Sequence, residues 1–117
     1  MIDPESRKSK LPYVIVHLKG PAEADEIDRI RLRMTNALCW FSACDYDSAA
    51  HTVKLNVVAE RLRFFVSLIG DTKAKRKRFA RNMQQVRKEI NAKKIIVFRP
   101  QGERQGVYTS LRRLTFS

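Results

Sequence analysis

Apolar residues change their spacing repeatedly along this chain, and each change marks an element. Over residues 12–19 the period is two. Val14, Val16 and Leu18 share one face; Tyr13, Ile15 and His17 share the other. Alternate side chains of a strand point to opposite faces, and here both faces are largely apolar, which predicts a central strand. Gly20 and Pro21 end it. The spacing then becomes helical: Ile27, Ile30, Met34, Ala37, Leu38 and Phe41 form one stripe, with Arg29, Arg33 and Asn36 off it. Pro21 suits the first helical turn, and Glu23, Asp25, Glu26 and Asp28 suit the positive end of the helix dipole. Leu38 to Phe41 also reads as the start of a strand, so the end of this helix is left open.

Residues 41–46 and 51–58 flank the turn-like run Asp47-Ser48-Ala49-Ala50, which predicts a hairpin. In its second strand Val53, Leu55 and Val57 alternate with Thr52, Lys54 and Asn56, giving one buried and one polar face. Residues 59–69 fit either period. A short helix is favoured, because Gly70 follows as a C-cap and Asp71 can then cap the next helix. Residues 72–92 form the clearest helix, with Phe79, Met83, Val86 and Ile90 as its apolar stripe. Residues 94–98 read as a short β-branched strand, residues 100–106 as a loop with two glycines, and residues 107–116 as a last strand or an arm.

The resulting order, β-α-β-β-α-β, predicts an α+β protein: a ferredoxin-like βαββαβ sandwich, with an antiparallel sheet, helices on one face and room for an extra C-terminal strand. Residues 12–117 are read as a single domain and residues 1–11 as a flexible basic arm carrying Arg7, Lys8 and Lys10. At 117 residues such a domain can bury a real core without disulfides or a structural metal. No apolar run is long enough to cross a membrane, and Met1 to Lys10 lacks the apolar stretch of a signal peptide. Cys39 and Cys44 fit neither a redox pair nor a zinc knuckle. They read as reduced thiols of a cytoplasmic protein.

Charge changes the picture most. The net charge is +12, and residues 1–59 contribute none of it, with 8 basic and 8 acidic side chains. Residues 60–117 hold 16 basic and 4 acidic side chains. A segregated excess makes a directional field that attracts a polyanion. Helix 72–92 carries Lys73, Lys75, Arg76, Lys77, Arg78, Arg81, Arg87 and Lys88 against one acid, Glu89. With the apolar stripe placed inward, Lys73, Lys77, Arg81, Gln84 and Lys88 fall on the outer side. That row is roughly 22 Å long at about 1.5 Å per residue. Like charges four apart cost a few tenths of a kcal/mol each, roughly. A bound polyanion would relieve that cost. An ordinary solvated face is the alternative, and eight bases against one acid in a half-chain of net +12 weigh against it.

Lys93, Lys94 and Arg99 bracket the short strand, Arg104 sits in the glycine-flanked loop, and Arg112 and Arg113 lie near Tyr108. Together with Lys73, Lys77, Arg78, Arg81 and Lys88 they form the expected nucleic-acid surface. If one sheet face is open, Tyr13, His17, Lys54 and Asn56 are candidates for base contacts on it. Against this, strand 51–58 has no aromatic residue, and the C-terminal segment or a second subunit could cover the face. Trp40 and Phe41 read as core.

The leading expectation is therefore a non-enzymatic protein that binds DNA or RNA through the phosphate backbone, without cofactor. An adapter or inhibitor meeting an acidic protein partner is the alternative. A small Mg-dependent nuclease ranks lower. Its one signal is Asp45 and Asp47 on the same side of a strand, an arrangement that better suits a turn-entry pair bonding the hairpin loop. His17 and His51 lie in no metal or general-base pattern. A homodimer is compatible with a sheet of this class, because an edge strand remains to be paired.

Overall fold

The computed structural model describes residues 10–117. The expected N-terminal arm therefore lies outside the described residues, save Lys10 and Leu11. The backbone N–H of Lys10 donates to the carbonyl of Tyr108 at 3.0 Å.

Strand β1 (Tyr13–Leu18) leads to helix α1 (Ala24–Ala37), then to strands β2 (Phe41–Asp47) and β3 (Thr52–Val57). A short 3-10 turn (Ala59–Arg61) precedes helices α2 (Leu62–Ile69) and α3 (Lys73–Glu89), and strands β4 (Ala92–Arg104) and β5 (Val107–Phe116) close the chain. The protein is α+β. Its five strands form one sheet in the order β2-β3-β1-β4-β5, with every neighbouring pair antiparallel. The chain departs from a plain β-α-β-β-α-β order by the added helix α2 and the added strand β5.

Strand β1 is central, and burial alternates along it. Val14, Val16 and Leu18 are buried, while Tyr13, Ile15 and His17 are partly exposed. Val53, Leu55 and Val57 of β3 and Ile95 and Val97 of β4 join the buried side. Ile30 and Met34 of α1, Phe65 and Ile69 of α2, and Phe79, Met83 and Val86 of α3 pack with them in one cluster. The expected stripe of α3 is thus the buried one. No polar or charged side chain is buried among the described residues.

Several boundaries differ from the sequence reading. Helix α1 begins at Ala24 with Glu23 before it, so Pro21 precedes the helix rather than lying in its first turn. Phe41 is buried from β2, not from α1. Trp40 is 66% exposed and does not join the core. The N-cap of α3 is Thr72, whose Oγ1 accepts from the N–H of Lys75 at 3.2 Å; Asp71 instead pairs with the Lys75 ammonium at 3.5 Å. Helix α3 stops at Glu89, because Asn91 takes a left-handed conformation at φ 56 and turns the chain into β4.

The largest difference concerns residues 100–106, which are not a loop. Strand β4 runs on to Arg104, and β5 returns beside it through the two-residue turn Gln105-Gly106. Both turn residues have positive φ, 54 and 77, as a tight hairpin of this twist requires. Pro100 is tolerated within β4 because β1 pairs no further than Phe98. Beyond that point only the β5 side of β4 needs hydrogen bonds.

Gly70 joins α2 to α3 at φ 91 and ψ 158, a region essentially confined to glycine. A Cβ there would stand 2.3 Å from the Cβ of Lys75. Gly70→Ala is expected to destabilise the fold by about 1–3 kcal/mol, read as a lowered urea midpoint at unchanged denaturant dependence.

Candidate nucleic-acid interface

Helix α3 faces the core with Phe79, Met83 and Val86, so the opposite side of the same helix faces solvent. Lys73, Lys77, Arg81 and Lys88 are exposed there, and Arg78 is exposed on the flank toward α2. None of them has an ion-pair or hydrogen-bond partner among the described residues. The other bases of the helix are engaged. Lys75 pairs with Asp71, and Arg76 donates to the Asp71 carbonyl at 3.1 Å. Arg87 Nε donates to Gln84 Oε1 at 2.9 Å.

The single acid of the helix lies off this row and is engaged in a tertiary contact. Glu89 accepts a hydrogen bond from Arg33 of α1 and another from Gln85. The Arg33 hydrogen bond holds the Glu89 carboxyl below its ordinary value. Glu89 thus ties α3 to α1, and the outer cations keep no counter-charge. Gln84, which interrupts the row, donates from Nε2 to the backbone carbonyl of Ser117 at 3.2 Å.

The remaining expected cations divide between two further regions. Register places Lys94 beside His17, and Arg113 beside Phe98, on the sheet face away from the helices. Lys93 is exposed next to them, where the β1–β4 register shifts. Arg99 and Arg112 are direct cross-strand partners on the other face of the β4–β5 hairpin. Like charges so placed repel. Arg104 ends β4 beside the turn, in a paired strand rather than a flexible loop. The Nε of Arg99 is buried without a hydrogen-bond partner. It borders a cleft of about 420 Å³ between α2 and the hairpin, which Arg63 and Lys75 also line.

Helices α1, α2 and α3 pack on the Val14 side of the sheet, and no described helix packs on the Tyr13 side. The C-terminal segment does not cover it, because that segment is the edge strand β5. On this face Tyr13 and Phe98 stack with ring centroids 4.3 Å apart and planes 21° apart. The Lys54 ammonium lies 4.5 Å from the centroid of the Tyr13 ring. Phe98 was absent from the residues drawn from the sequence. Its signal was the alternation Lys94, Ile96, Phe98, which matches Tyr13, Ile15, His17 once β1 and β4 are known to pair. His17 is held below its ordinary value by burial first, then by Lys94, Lys93 and Arg113.

Asp47 Oδ1 accepts from the N–H groups of Ala49 and Ala50, at 3.0 and 3.2 Å, as a turn-entry residue does. No group of three metal-ligating side chains occurs among the described residues. Burial pushes the Cys39 thiol up to about 11 and also raises Cys44. No described helix is long and apolar enough to cross a membrane. In comparisons with known proteins, no family model, curated protein or solved structure matches the chain.

Because the Glu89 carboxyl titrates lower in the folded chain, its contribution is present above the ordinary value of 4.5 and is lost as pH falls through the folded value. Glu89→Gln is expected to lower the melting temperature slightly at neutral pH. The gap to the wild type should close in acid, and scanning calorimetry across pH checks both.

Proposed function

We propose that this protein binds nucleic acid without catalysis, contacting the phosphate backbone through the outer face of α3. The observation that carries the reading is the row Lys73, Lys77, Arg78, Arg81 and Lys88, exposed and without anionic partners. A helix stabilised for its own sake mixes signs at four-residue spacing. A polyanion supplies the missing counter-charge and gains counterion release on binding. Lys93, Lys94, Arg99, Arg104, Arg112 and Arg113 lie away from this row and add to the positive field that steers the ligand.

The strand order β2-β3-β1-β4, with α1 and α3 against one face, supports reading the fold as a ferredoxin-like sandwich extended by α2 and β5. Such architectures serve many functions, so the proposal rests on the cations and not on the fold.

One observation favours a second reading, an acidic protein partner. Phe64 is 53% exposed beside a groove of about 680 Å³ between α2 and α3, which Lys75, Arg78 and Arg81 also line. A partner of that kind would survive nuclease treatment in a pull-down. Nucleic acid would not.

The test is binding to labelled DNA and RNA, single- and double-stranded, over a salt series. The logarithm of the affinity is expected to fall linearly with log salt. Replacing Lys77, Arg81 and Lys88 together by Gln should lower that slope by roughly two to three units while the fold is kept. An unchanged slope in the folded triple variant would overturn the proposal.

A further inference from the structure

The face of the sheet away from the helices has a chemistry that backbone binding by α3 does not use. Cross-strand register sets its rows. Thr52, His17 and Lys94 lie side by side; then Lys54, Ile15, Ile96 and Thr115; then Asn56, Tyr13, Phe98 and Arg113. Ile96 is buried on this face although it belongs to no part of the helix-covered core. The surface is thus a packed floor rather than a frayed one. Over β3, β1, β4 and β5 these rows hold three cations and no acid. The acids of the face, Asp45 and Asp47, are confined to the edge strand β2. Lys54 is the cross-strand partner of Asp45, yet no ion pair joins them; its ammonium lies over Tyr13 instead.

The aromatic pair defines what can sit there. Neighbouring strands are about 4.8 Å apart, close to the 4.3 Å between the Tyr13 and Phe98 centroids. The two rings therefore stand up from the sheet and face each other across the strands. One face of Tyr13 meets Phe98 and the other meets Lys54. The outward face of Phe98 points toward β5, where its cross-strand neighbour is Arg113. The exposed Arg113 side chain takes the next position across, so a flat ring entering there extends the stack by one member once that guanidinium swings aside, where it can meet a phosphate.

We infer that this face binds single-stranded nucleic acid, with a base stacked on the outward face of Phe98 and phosphates held by Lys54, Lys94 and Arg113. The inference rests on the nucleic-acid reading above and names the strand class. A base within a duplex has both faces sealed by its neighbours, whereas an unpaired base can leave the stack for an aromatic side chain. The half-buried Asn56 lies next to Tyr13 in the same row and offers a donor and an acceptor to a base edge. The absence of acids from these three rows suits a phosphate chain. The field that disfavours protonation of His17 arises from Lys94, Lys93 and Arg113, the same cations a phosphate would meet.

The experiment uses the full chain and three probes: a labelled thymidine oligomer of about ten nucleotides, an abasic strand of equal length, and a duplex. The wild type is expected to bind the oligomer about tenfold tighter than the abasic strand. Phe98→Leu should abolish that advantage while leaving the salt slope and duplex binding unchanged. Lys94→Gln and Arg113→Gln, both at the surface, should each lower the single-strand slope by about 0.7; they keep the test open should Phe98→Leu perturb folding. Equal wild-type binding to oligomer and abasic strand would overturn the inference, as would a folded Phe98→Leu variant that behaves as wild type. In either case binding that still depends on the α3 cations leaves the backbone reading standing. Failure of the wild type to bind any of the three probes at low salt would overturn both.

Discussion

One-sided burial of the sheet is the constraint from which the other features follow. Val14 and Val16 of β1, Val53 and Leu55 of β3, and Val97 of β4 are fully buried against Ile30, Met34, Met83 and Val86 of the helices. Each such side chain contributes about 1.5–3 kcal/mol of transfer free energy. Because alternate strand residues point to opposite faces, committing one set to the helices presents the other set on the far side. The same burial turns α3 so that its basic row faces outward. The basic helix and the aromatic sheet face consequently lie on opposite sides of a molecule whose shortest extent is 20 Å.

Positive charge is spread over this frame at a cost in stability. Lys73, Lys77 and Arg81 repel along α3, and Arg99 opposes Arg112 across the hairpin. The Arg33–Glu89 contact is the exception that shapes the rest. It binds α1 to α3 and engages the only acid of α3, which lies off the outer face. The lack of a local counter-charge on that face follows from the spacing along α3, and the packing of α1 on α3 engages its one acid elsewhere. An anionic ligand would neutralise the remaining repulsion, so binding and folding would be linked.

The two basic surfaces differ in kind. That of α3 is a row of long side chains on a rigid helix, suited to phosphates and indifferent to bases. That of the sheet places fewer cations around stacked rings, where unpaired bases have something to stack on. A single strand would have to pass around the molecule to meet both at once, whereas two segments could occupy them separately. Asp45 and Asp47 bound the sheet surface at β2, where like charge with phosphate would turn a strand away.

Local periodicity alone determined a good part of this protein. The alternation in residues 12–19 marked the central strand, and the stripe Phe79, Met83, Val86 and Ile90 marked the inner face of α3. The exposed cations of α3 followed from the same spacing, because a helix with one face buried must present the opposite one. The reach of β4, the hairpin it makes with β5 and the stacking of Phe98 on Tyr13 were decided only by tertiary structure. Pro100 and Gly102 read as loop residues in isolation. They become strand residues because β5 supplies their partners and β1 requires none beyond Phe98. Tyr13 and Phe98 are far apart in sequence, and neither signals the other until β1 and β4 pair. Trp40 lies in the connection between α1 and β2, where the neighbouring Phe41 turns into the core and Trp40 stays exposed. Period and charge are properties of neighbouring residues, whereas pairing across strands is a property of the closed fold.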